Sequence, residues 1–286
     1  MTLTTGTAGP LLSPEQVEDL LVLPVLAASV ALNPLVSTVV RLTGSTYRIP
    51  RVSADPSAAF GAEGAEIPVS DMTTDELVVT PSKVAGLSVI TSELAEDSSP
   101  EASTEVGAGL ARDIARKIDA AFFGNMTSPA PANLASLSTT TGGVQNIAAG
   151  TAPTNLDAFA QAQMLAGNVG AELTSFVANP TTALVLANLK EASGSGKPLL
   201  MDADPSKPTR RLIFGTPLLT SPDAPVGTIW GMSAARVTTV VRRAAEVQAD
   251  RSVFFTSDRV AVRATCRVGF GFPHTAALVR IRLAAS

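Results

Sequence analysis

Cysteine, histidine, tryptophan and tyrosine each occur once among 286 residues. Cys266 alone cannot close an intrachain disulfide, and one His with one Cys supplies no ligand set for a zinc site. Charged residues make up only 16% of the chain and aromatics 4%. With mean hydropathy at +0.28, much of the exterior has to be neutral or mildly apolar. The net charge of −4 excludes general electrostatic attraction to nucleic acid. No Lys or Arg precedes Arg41, while Glu15, Glu18 and Asp19 stand where a signal peptide needs positive charge. Pro24, Asn33 and Pro34 interrupt the apolar run 21–40, which argues against a lone membrane-spanning helix. A nucleophile elbow of the Gly-x-Ser-x-Gly kind is missing, and Lys197 in "GSGKP" lacks the Ser/Thr and the helix of a phosphate loop. His274 is the sole imidazole base and reads as a hydrogen-bonded strand-end residue; Glu96 and Asp97, adjacent in sequence, diverge on any regular element. Catalytic, cofactor and metal sites are therefore all expected to be absent.

Hydrophobic residues reach 45%, ample for a core. Ser13-Pro14-Glu15-Gln16 has the form of a helix start, and the arm after it is apolar in a way that implies cover from outside the chain. "STYRIPRV" reads as a strand with Tyr47, Ile49 and Arg51 on one face, and 76–92 as its return. The pair makes a two-stranded excursion over 47–92, with arms of about 12–15 residues reaching roughly 40–50 Å. Residues 99–123 form the clearest helix: Ser99 cap, Pro100 in the first turn, Glu101 and Glu105 near the dipole's positive end, Gly124-Asn125 as the stop. Val106, Leu110, Ile114, Ile118 and Phe122 give it an apolar stripe, and Gly107 with Gly109 implies a close neighbour. After a low-complexity linker from Met126 come a helix (155–168), a strand at "TSFVANP", a helix from Thr181 to about Glu191 and a strand pair around Gly215-Thr216-Pro217. Near the C-terminus, Val260, Val262, Ala264, Cys266, Val268, Phe270 and Phe272 share one strand face, and Arg259, Arg263 and Arg267 the other. Cys266 falls in the apolar set and reads as a buried small hydrophobe.

Charge is unevenly placed. Residues 51–105 hold 2 bases against 11 acids, whereas 207–286 hold 12 bases against 4 acids. The acidic excursion and the basic C-terminal strands complement one another. They are expected to meet between copies, with Glu63, Glu66, Asp71, Asp75 and Glu76 on one side and Arg259, Arg263 and Arg267 on the other.

The order of segments resembles the major capsid proteins of tailed bacteriophages, the Hong Kong-type fold shared with encapsulins and the herpesvirus capsid floor. "KVAGLSVITSELAEDS" (83–98) is similar to the family's return strand, "ARDIARKIDAAFFGN" (111–125) to the end of its spine helix, "RRLIFGTPLLTS" (210–221) to its axial domain, and "SDRVAVRATCRVGFGF" (257–272) to its closing strands. The resemblance implies an α+β fold with an N-terminal arm (1–45) and an extended loop with flanking strands (46–92). A peripheral spine helix (93–130), an axial domain (131–235), peripheral strands (236–275) and a C-terminal strand returning to the axial domain (276–286) follow. It implies no enzyme but hexamers and pentamers closing into an icosahedral head around double-stranded DNA, assembled in the host cytoplasm. Implied partners are further copies, a scaffolding protein, a portal protein and a decoration or cement protein. No membrane is involved, and contact with the packaged DNA is weak, through residues such as Arg41 and Arg48. Since the arm begins almost at once, scaffolding is expected from a separate protein or the chain is already mature. Residues 53–75 contain no lysine, so the Lys–Asn crosslinks of some relatives are not expected. An encapsulin-like cargo shell is the nearest alternative; a hydrolase and a tail or decoration protein rank below it.

Overall fold

The structure is a computed structural model that describes residues 29–54, 58, 60, 69, 71–91, 101–124, 126–140, 142–150, 153, 155–191, 199–200 and 211–283. It is a mixed α+β fold whose strands are numbered in chain order. One sheet has the order β1-β10-β11-β4, formed by Thr38–Arg41, Thr238–Phe254, Arg259–Gly271 and Ser82–Thr91. A second has the order β5-β12-β9-β6-β8-β7, formed by Gln145–Ala148, Val279–Arg282, Thr228–Met232, Ser175–Ala178, Thr216–Thr220 and Arg211–Ile213. The third is the hairpin β2-β3, Tyr47–Ala54 with Thr73–Val79.

The period-two pattern of β11 behaves as its sequence demands. Val260, Val262, Ala264, Cys266, Val268 and Phe270 are buried, while Arg259, Arg263 and Arg267 are exposed. Onto the buried face packs α1 (Glu101–Phe123), 23 residues or about 34 Å of helix. Its Ile114, Ile118 and Phe122 are all at most 2% exposed. Phe122 meets Phe270 edge-on at 4.9 Å between ring centroids, a geometry that adds about 0.5–1.5 kcal/mol to burial alone. Of the two glycines expected to mark a close neighbour, the surroundings of Gly107 lie outside what is described, and a Cβ at Gly109 would meet only Arg112 Nη2 at 3.9 Å; a close approach occurs on the facing strand. A Cβ at Gly86 of β4 would stand 3.1 Å from Leu110 Cδ2.

In the second sheet every residue of β6 is buried. The helix α2 (Asp157–Asn168) places Phe159, Ala162 and Ala166 in the same core. The helix α3 (Pro180–Ala187) starts at Asn179, whose Oδ1 accepts from Thr181 N at 3.0 Å and whose Nδ2 donates to the carbonyls of Pro222 and Ala224. It stops at Ala187, short of Glu191, because the chain turns there to let Leu199 N donate to Leu189 O. The Gly215 turn requires positive φ at both central positions, 49° at Phe214 and 79° at Gly215.

Three expectations change. The ribbon is shorter than 47–92: its strands have 8 and 7 residues, roughly 25 Å, and Thr80-Pro81 separates β3 from β4, which pairs with β11 instead. The stretch after Met126 is not a loose linker. Asn133 and Ser136 cap one another reciprocally around a short helical turn, and Leu134 is fully buried. The described part of the arm is covered by its own chain, since Ala31, Leu32 and Val36 belong to the main core. β1 then runs parallel to β10, with Thr38 opposite Thr238.

A single carboxylate anchors that strap. Asp119, 4% exposed on the inner side of α1, accepts from Ser29 Oγ at 2.6 Å and from the backbone N–H groups of Val30 and Ala31, both at 3.0 Å. Ser221 Oγ, from the turn after β8, donates at 3.3 Å. Burial pushes the Asp119 carboxyl above its usual range, and these four donors hold the rise down. Farther along the strap, Thr239 Oγ1 donates to Ser37 Oγ, and Thr174 Oγ1 and Ser175 Oγ both donate to Leu35 O. Residues 29–37 thus stitch the helix to both large sheets.

Asp119→Asn keeps the volume but turns an NH2 toward a set of donors. Urea unfolding should register a loss of about 2–4 kcal/mol, and hydrogen exchange at Val30 and Ala31 should quicken. Ser221→Ala should cost less than about 1 kcal/mol. If Asp119→Asn unfolds like the wild type, the carboxylate is not the anchor.

Candidate assembly interface

The hairpin leaves the body over two glycines. A Cβ at Gly271 would stand 2.8 Å from both Ile49 Cδ1 and Val79 Cγ2, and one at Gly269 would stand 3.0 Å from Val79 Cγ1 and 3.1 Å from Pro81 Cα. The "VGFGF" end of β11 therefore turns its phenylalanines to the core and leaves a smooth track outside, on which the hairpin base sits. Beyond that base, Val52, Met72 and Val78 are about half exposed, and a two-stranded ribbon of this kind is marginal in water without a neighbour.

The predicted acids lie on or beyond this hairpin, in three situations. Glu63 and Glu66 are outside the described residues. Asp71 is exposed. Asp75 and Glu76 are engaged within their own hairpin: Arg51 pairs with Asp75, and Arg48 with Glu76 at 3.1 Å. The Glu76 backbone N–H and Arg51 together hold the Asp75 carboxyl below its usual range. Arg48, expected as a contact to DNA, thus directs its charge to Glu76, and Arg41 also has a partner. Both hairpin pairs are solvent-exposed, a class contributing about 0–1 kcal/mol, so their acids remain open to exchange.

The predicted arginines share the outward face of the four-stranded sheet. Arg263 donates to Gln248 across the strand pair. Arg267 lies opposite Lys83 of β4, two basic residues side by side, and its backbone is in register with Arg243 of β10. Like charges in opposed register are unfavourable, and neither Lys83 nor Arg267 has an acidic partner among the described residues. Leu87 and Val89, also on this face, are 62% and 40% exposed. Sequence reasoning missed Lys83 and Leu87 as members of the surface. Their signal was the alternation of "SKVAGLSVIT", readable only once β4 is known to pair with β11.

Elsewhere the chemistry is quiet. The Cys266 thiol is pushed up to about 11 by burial, against its usual value near 9. His274, expected to be hydrogen-bonded, has a buried Nδ1 with no partner among the described residues, and burial and Arg236 pull it below its usual range. Among the described residues, no group of three or more His, Cys, Asp and Glu could hold a metal, and no helix is long and apolar enough to cross a membrane.

With Gly271→Val, Ile49 and Val79 should be forced off their track at a cost of about 1–3 kcal/mol. Trypsin should then cut faster at Arg48 and Arg51; unchanged cutting would mean the glycines do not seat the hairpin.

Several solved structures share this architecture. A chain of the capsid of an empty GTA particle, computed with C5 symmetry, superposes with TM-score 0.72 at 19% identity, covering 100% of this chain and 95% of that one. A chain from Microbacterium phage Oxtober96 gives 0.71 at 18% identity, covering 89% and 90%, and one from Mycobacterium phage Adephagia gives 0.71 at 18%, covering 92% and 90%. A search of curated proteins found no match. At such identities the superpositions establish the fold, and the sequence itself supplies the family. A profile of the phage capsid family matches residues 9–283, nearly the whole chain. The protein therefore belongs to the phage capsid family, and its work is structural, the building of a shell, rather than catalytic.

Proposed function

We propose that this chain is the major subunit of a tailed-phage head, forming hexamers and pentamers that enclose double-stranded DNA. In this reading the hairpin of one copy lies across the outward face of the next copy's four-stranded sheet. The observation that carries it is the unpaired basic row of Lys83 and Arg267, facing outward beside exposed Leu87 and Val89. The same chain carries a protruding ribbon in a segment with 11 acids against 2 bases. Opposite charge supplies register and steering, and the apolar side chains supply affinity. A scaffolding protein during assembly, a portal protein and a decoration or cement protein belong to this reading, as does assembly in the host cytoplasm. The paired state of Arg48 supports only weak, salt-sensitive contact with the packaged DNA.

Charge exchange tests the contact. Changing Glu63, Glu66 and Asp71 together to Lys, or Arg263 and Arg267 together to Glu, should each raise the concentration for half-assembly by about tenfold. Combining both sets should recover closed shells in negative-stain micrographs. If the combined variant assembles no better than either parent, the two surfaces do not meet.

A further inference from the structure

Arg280 stands on β12 between Asn146 of β5 and Trp230 of β9. It is 8% exposed, so nearly all of its side chain is out of water. Its Nε donates to Asn146 Oδ1 at 3.1 Å, and its guanidinium carbon lies 5.7 Å from the centroid of the Trp230 ring. Those two contacts orient the group and leave both terminal nitrogens without a partner among the described residues. No carboxylate pairs with it among the described residues. Arg282, two residues on and on the same strand face, is exposed and equally without an acidic partner among the described residues. The rest of the polar surroundings do not help: Trp230 Nε1 is itself a buried donor with no partner among the described residues. Asn146 and Ala148, opposite the two arginines on β5, are exposed, so this part of the sheet opens to solvent.

A buried guanidinium without a counter-ion is costly, and an apolar side chain would fill the same place over Trp230 more cheaply. The site makes sense when an oxyanion completes it. A guanidinium ordered by Asn146 and Trp230 keeps its two terminal nitrogens as a planar pair, which matches a carboxylate in bidentate geometry. Charge decides between the two available oxyanions. Duplex DNA is held by many cations placed along its backbone, whereas only Arg280 and Arg282 stand on this strand, in a chain of net charge −4. A single side-chain carboxylate suits one guanidinium, and in a shell of identical subunits the most concentrated acid is another copy's. We propose that Arg280 is an oxyanion socket filled by a carboxylate side chain of a second copy of this chain, with Arg282 steering the acid in. The proposal rests on the shell-building reading above and adds a contact on the other sheet from the basic row.

The test uses full-length chain and follows assembly by sedimentation and each subunit's melting by scanning calorimetry. Arg280→Gln should raise the half-assembly concentration by about tenfold. Because Arg280 is buried, a second variant guards against simple misfolding. Arg282→Glu should place a carboxylate beside the fork in cis, leaving the melting temperature unchanged or higher while assembly falls. Assembly of Arg282→Glu at the wild-type concentration overturns the proposal. So does Arg280→Gln that folds and assembles normally but loses affinity for a short DNA duplex, which would make phosphate the occupant. A wild-type chain that never assembles, alone or with its scaffold, would instead overturn the shell-building reading itself.

Discussion

The carboxylate of Asp119 is the point on which the molecule turns. It lies on the spine helix, yet its four donors come from elsewhere: three from the strap at Ser29, Val30 and Ala31, and one from Ser221 beyond β8. Without it, two backbone N–H groups and two hydroxyls would be buried facing nothing. Each such orphan costs about 1–3 kcal/mol, a sizeable share of the 5–15 kcal/mol by which a domain is stable. The strap is therefore no loose appendage in this part of its length. It ties the helix, the four-stranded sheet and the six-stranded sheet into one body, so a disturbance at the turn after β8 reaches the arm through one side chain.

Interactions inside and outside the body differ in strength by design of the residues involved. Phe122, Phe270 and Phe272 are buried, with Phe122 edge-on to Phe270 and tilted against Phe272. The ion pairs of the hairpin are half exposed and exchangeable. The hairpin acids can therefore leave Arg48 and Arg51 for other cations at little cost. The two-residue break at Thr80-Pro81 limits how independently the hairpin can move. β4 begins immediately after it and carries Gly86, against which Leu110 of the spine helix is pressed. A load on the hairpin thus passes into the strand that the helix rests on.

Much of this was legible in the residues. Alternation along "RVAVRATCRVGFG" placed the three arginines outward, and the four-residue stripe placed Ile114, Ile118 and Phe122 in the core, because both patterns are local. What failed was non-local. The pairing of β4 with β11 rather than with β2 depends on Pro81 acting as a break, and nothing in "ELVVTPSKVAG" says which sheet each half will join. Asp119 was invisible because its partners lie about ninety residues upstream and about a hundred downstream; a lone Asp on a helix reads as a solvated surface acid. The ordered turn at Asn133 looked like linker because Ala, Ser and Thr hide a capping pair that only its hydrogen bonds reveal. Sequence alone points to cover for the arm from outside the chain, because hydropathy reports that a segment must be buried, not by what.

Low charge density gives the exceptions their weight. In a chain with 16% charged residues, two cations set beside one another on one sheet face are not background. Lys83 and Arg267 stand side by side on one sheet, and Arg280 and Arg282 on the other. Each pair pays a repulsive cost within the isolated subunit. Such arrangements are stable only because the body holds them there, and they are relieved when an anionic surface arrives. Sites of this kind oppose association with another basic surface as firmly as they favour an acidic one. In the proposed shell they fix which faces of identical subunits can meet, while the apolar area at Leu87 and Val89 contributes to how tightly.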